Sequence, residues 1–84
     1  MNKVITDERV KEFLVTISGV DQARAQGYLE MFEQNGFSLP GQYLKKLENN
    51  LWELRPGNIR LLMGKVGLNF VIVNVFKKKT QKTL

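Results

Sequence analysis

The stretch Leu51-Trp52-Glu53-Leu54-Arg55-Pro56-Gly57-Asn58-Ile59-Arg60 alternates apolar and charged side chains, breaks at a Pro-Gly pair and then resumes. A period of two marks a half-buried strand, because successive side chains leave opposite faces of the pleat. Trp52 and Leu54 go to one face, and Leu51, Glu53 and Arg55 to the other. Pro56-Gly57 is the central pair that a type II turn prefers. The stretch therefore reads as a hairpin whose return strand runs from Ile59 to Val66. With Pro56 and Gly57 at the centre, Arg55 faces Asn58, Leu54 faces Ile59 and Glu53 faces Arg60. Directly opposed residues of an antiparallel pair share a face. The expectation is a surface carrying Glu53, Arg55 and Arg60 together, with Trp52 turned into the core. A slip of one residue would break it.

Downstream, Gly67-Leu68-Asn69 reads as a second turn. Phe70-Val71-Ile72-Val73-Asn74-Val75-Phe76 is almost continuously apolar, as expected of a strand covered on both faces. Upstream, Thr6 can cap a helix with Asp7 and Glu8 in its first turn, suited to the positive end of the helix dipole. Val10, Phe13, Leu14 and Ile17 then follow at helical spacing, and Ser18-Gly19 ends the run. Asp21 can cap a second helix with Ala25, Leu29 and Phe32 as its apolar stripe, stopped by Asn35-Gly36. The two segments read as an antiparallel helical hairpin. Tyr43-Leu44-Lys45-Lys46-Leu47 fits either a short strand or a helical turn. Helices packed on a small antiparallel sheet make one α+β domain over residues 1–84, with 77–84 a basic tail.

The chain has 84 residues, 13 Lys+Arg against 8 Asp+Glu, and a formal charge of +5. It has no Cys and no His. Disulfides, Cys/His zinc sites, thiol nucleophiles and catalytic triads are thereby excluded. No stretch approaches the roughly 18–20 apolar residues of a membrane span. The N-terminus also lacks the apolar run of a signal peptide, so a cytoplasmic protein without a membrane role is the expectation. The charge is uneven: residues 1–50 hold six basic and seven acidic side chains, whereas residues 51–84 hold seven basic ones and only Glu53 as acid. Concentrated positive charge is the footprint of a polyanion binder, nucleic acid first.

Two segments carry a family resemblance. Residues 47–58, Leu-Glu-Asn-Asn-Leu-Trp-Glu-Leu-Arg-Pro-Gly-Asn, followed by Arg60, resemble the L-E-(D/N)-G-L-W-E-L-R core of phage-associated HigB-like toxins in the RelE superfamily. Phe76-Lys77-Lys78-Lys79-Thr80-Gln81-Lys82-Thr83 resembles that family's F-x-K-K-T-Q-K-T-P segment. Weaker matches are Val10 to Leu14 and Asn35-Gly36, so the likeness spans about residues 9 to 83. It implies a compact RNase-like α+β fold with a concave basic sheet surface, and Lys3-Val4-Ile5 as a short first strand. The implied activity is ribosome-dependent mRNA cleavage, in which the ribose 2′-OH attacks the adjacent phosphate without a metal or other cofactor. The implied partners are the ribosome, mRNA and a helix-turn-helix antitoxin of the HigA kind.

On that resemblance Arg60, Arg55 and Lys78 would bind and stabilise the scissile phosphate, since guanidinium and ammonium groups match phosphorane charge. Glu53 would carry a proton or orient the arginines, and as a cross-strand partner of Arg60 it is equally well explained by an ion pair. Lys77, Lys79, Lys82 and Lys65 would contact RNA phosphates, against the plainer reading of a solvated charge run. Family members continue past K-T-P into a helix, whereas this sequence ends at Leu84. The alternative expectation is therefore a truncated relative that binds antitoxin, ribosome or RNA without cutting.

Overall fold

The computed structural model describes residues 3–78. Its elements run β1 (Val4–Thr6), α1 (Glu8–Leu14), α2 (Gly19–Asn35), a 3-10 turn (Gly36–Ser38), β2 (Leu44–Glu48), β3 (Leu51–Leu54), β4 (Ile59–Val66) and β5 (Asn69–Lys77). The strands form one sheet in the order β1-β5-β4-β3-β2. Neighbours are antiparallel except β1, which lies parallel to β5. The fold is α+β, two helices on a five-stranded mixed sheet.

The sheet is larger than the three strands the local pattern predicts. β1 is only three residues long, and its partners Phe70, Val71 and Ile72 are more than sixty positions away. Its existence depends on a non-local pairing. That pairing also claims Thr6, which lies opposite Ile72. The cap of α1 consequently moves to Asp7, whose Oδ1 accepts from the Arg9 N–H at 2.9 Å. Ser18 likewise caps α2, accepting from the Asp21 N–H through Oγ at 3.2 Å, so Ser18 opens the second helix rather than ending the first. Residues 44–48, ambiguous by pattern, are edge strand β2.

The two predicted helices pack on the sheet, α1 against β5 and α2 against β4. The stripe Ala25, Leu29 and Phe32 is buried as expected, and Gly36 with φ 57° closes α2. These side chains meet Leu54, Ile59, Leu61, Met63, Phe70 and Ile72 from the sheet. Each full burial of this kind contributes roughly 1.5–3 kcal/mol. Trp52 packs at the margin of this core beside Phe37 and Phe70, with ring centroids 4.9 and 6.0 Å away.

The opposite face of the sheet is open. The expectation that β5 is covered on both faces is corrected here: Ile72 is buried, while Val73 and Phe76 are exposed. A bulge accounts for part of this, because Leu62 pairs with Asn74 and Met63 with Ile72, leaving Val73 without a partner.

Candidate functional site

β3 and β4 pair Leu54 with Leu61, Glu53 with Leu62 and Trp52 with Met63. This register is displaced by two residues from the one predicted. The cause is the turn: the Ile59 N–H donates to Pro56 O at 3.0 Å, which makes Gly57 and Asn58 the central pair. Gly57 takes φ +59°, the left-handed region glycine enters without penalty. Pro56 is buried below the turn. A displacement of two equals one full pleat period, so the face of every side chain is kept. Continuing the register one step brings Arg55 opposite Arg60, and Glu53 remains on their face.

There the three side chains do converge. Glu53 Oε1 lies 3.5 Å from Arg55 Nε and 3.8 Å from Arg60 Nε. One carboxylate oxygen sits between two guanidinium groups, and one positive charge is left over. The arginines are not equivalent. Arg60 is 7% exposed, and its Nη1 donates to Gly57 O at 2.7 Å and Ile59 O at 3.0 Å. It closes the turn from beneath. Arg55 has 30% of its side chain exposed and reaches solvent. Burial decides which of them an incoming anion can touch, and that is Arg55.

Further cations lie near the turn. Lys78 is anchored through its backbone N–H to Asn58 O at 2.6 Å, whereas Lys77 lies opposite buried Ile59 and so leaves the sheet on the helix side, away from the trio. Both are exposed. Lys65 is not part of this group. It sits five positions further along β4, opposite buried Phe70, hence about 17 Å from Arg60 at strand rise. Lys79 and Lys82 lie outside the described residues.

The structure adds three residues that the sequence did not flag. Lys45 is opposite Glu53 on edge strand β2 and shares its face. Phe76 is opposite Arg60 on β5 and is 40% exposed, an aromatic surface beside the guanidinium groups. The third is Arg24 of α2: a Cβ placed on Gly57 would stand 3.0 Å from its Nη1 and 3.6 Å from its Cδ. The ladder position of Lys45 and Phe76 depends on register, and no local pattern contains it. Among the described residues, no group of three Asp or Glu side chains converges as a metal ligand set would.

A separate cavity of about 400 Å³ lies between α1 and β5, lined by Arg9, Val10, Phe13, Val73, Asn74 and Val75. It shares no lining residue with the Glu53 cluster. Among the described residues no helix is long and apolar enough to cross a membrane.

Residues 12–84 match the family model described as phage derived protein Gp49-like (DUF891). No curated protein matches the chain. The match spans nearly the whole sequence, and the chain belongs to the Gp49-like family.

Proposed function

We propose that this Gp49-like protein is the toxin of a toxin–antitoxin pair and cuts mRNA on the ribosome as a metal-independent endoribonuclease. The observation that carries the reading is Glu53 held between Arg55 and Arg60 on an open sheet face, with Phe76 opposite Arg60 and Lys78 tied to the adjoining turn. Family membership and the likeness of residues 47–58 and 76–83 to HigB-like toxins support it.

In this reading a phosphate docks against Arg55, whose planar fork matches two phosphate oxygens. The ribose 2′-oxygen attacks the adjacent phosphorus, and Glu53 takes the 2′-hydroxyl proton. The bond from phosphorus to the 5′-oxygen breaks, and Lys78 supplies the proton to that departing oxygen. Charge that builds on the phosphorane is stabilised by groups already in place, so little reorganisation accompanies the step. Arg60 acts mainly through Glu53 and the turn, fixing both. Phe76 offers a face on which a neighbouring base stacks, an interaction of about 1–3 kcal/mol per base. The partner that silences the activity is a helix-turn-helix antitoxin.

Burial of Arg60 favours a second reading, a relative that binds RNA, ribosome or antitoxin without cleaving. Its Nη1 is already engaged by two carbonyls, which leaves fewer donors for a transition state. Primer extension on mRNA in a reconstituted translation system separates the two. The toxin reading expects new breaks that require ribosomes and are lost in Glu53→Gln. An intact message with folded wild-type protein would establish the binding-only reading instead.

A further inference from the structure

Arg24 lies on α2, on the helix side of the sheet, yet its guanidinium is laid against the tip of the β3–β4 turn. Nη1, Cδ and Cζ all come within 4 Å of the position a Cβ on Gly57 would occupy. The contact is possible because residue 57 has no side chain. From the other side the same turn is held by Arg60, whose Nη1 donates to Gly57 O at 2.7 Å, and Lys78 is tied to the next residue, Asn58.

Among the described residues Arg24 makes no ion pair, although Asp21 precedes it by one helical turn. Glu53 is already shared by Arg55 and Arg60. Two guanidinium groups thus approach one glycine, Arg60 from the sheet face with Glu53 as its counter-charge and Arg24 from α2 without an ion-pair partner among the described residues. The anion that matches an exposed, unpaired guanidinium is a phosphate diester.

We infer that Arg24 is a phosphate-binding residue, and that a bound RNA strand passes from the open sheet face over the Pro56–Ile59 turn onto α2. The inference rests on the RNA-directed reading above and deepens it. Arg55 meets the phosphate at the sheet face, Lys77 and Lys78 flank the turn, and Arg24 takes a separate phosphate on the helix side. Gly57 then serves twice, once for its backbone angle and once because a methyl group would stand 3.0 Å from Arg24 Nη1 and make the guanidinium give way.

The test is binding of a single-stranded 2′-O-methyl oligoribonucleotide, which the proposed reaction cannot cut, followed by fluorescence anisotropy over a salt series. Each phosphate contact on a single strand contributes about 0.7 to the slope of log affinity against log salt. Arg24→Gln is expected to weaken binding several-fold at low salt and to flatten that slope by about 0.7. Arg24→Lys, which keeps the charge, should restore the slope, and Lys11→Gln on α1 should leave it unchanged. A slope for Arg24→Gln equal to wild type overturns the inference while the RNA-directed function stands. Wild-type protein that fails to bind the strand even at low salt also overturns the inference, and an intact message on ribosomes overturns the cleavage reading on which it rests.

Discussion

The two faces of β3 come from one four-residue strand and have opposite chemistry. On one side Leu54 is fully buried and Trp52 packs with Phe37 and Phe70. On the other Glu53, with Arg55 just beyond the strand end, faces an open surface of charge. The helix-side face is closed by apolar burial, which is non-directional and tolerates small shifts. The open face depends on the ion pairs at 3.5 and 3.8 Å and on the hydrogen bonds that hold Arg60. Stability and proposed function therefore sit on different sides of the same backbone. Substitutions one residue apart should separate them.

The largest expected effect is on the buried side. Leu54→Ala leaves a cavity among Leu44, Leu61 and their neighbours and should cost about 2–5 kcal/mol in denaturant unfolding. A smaller loss would mean that the helices close over the gap, and the two faces are less distinct than described. Next comes Glu53→Gln on the open face. It leaves Arg60, 7% exposed, without its counter-charge, and should cost about 1–3 kcal/mol while abolishing cleavage. Of the open-face substitutions, this one breaks the separation most, because Glu53 serves both sides.

Gly57→Ala puts a Cβ at φ +59° and should lower stability by about 1–2 kcal/mol, read as a shift in the unfolding midpoint. It should also weaken RNA binding through Arg24. The smallest effect belongs to Lys11→Ala. Its 4.0 Å contact with Glu8 joins two exposed side chains, so the change should stay within about 0.5 kcal/mol.

Much of this was legible in the sequence. The alternation at Leu51–Arg55 assigns Trp52 and Leu54 to the core and gathers Glu53, Arg55 and Arg60. The stripe Ala25, Leu29, Phe32 is the buried face of α2. What local pattern could not supply was tertiary. Pro-Gly suggests its own turn centre, yet Gly57-Asn58 forms it, and only the evenness of the displacement saved the face assignment. Thr6 is a good cap until a distant strand takes it. Burial of Arg60 depends on the turn carbonyls and Glu53 that engage it, and the approach of Arg24 to Gly57 on how α2 docks; no spacing encodes either. Arg60, whose Nη1 holds two carbonyls of the turn, is therefore the more structural of the pair.

Arg55→Ala and Arg60→Ala, compared in mRNA cleavage on ribosomes and in thermal melting, test the central claim most directly. Arg55→Ala should lose about 100-fold in cleavage, the scale of one removed transition-state donor, with its melting temperature almost unmoved. Arg60→Ala should lose cleavage and stability together, because the turn loses its two carbonyl contacts. Wild-type cleavage by folded Arg55→Ala would contradict the account, since the open face would then not be the working one.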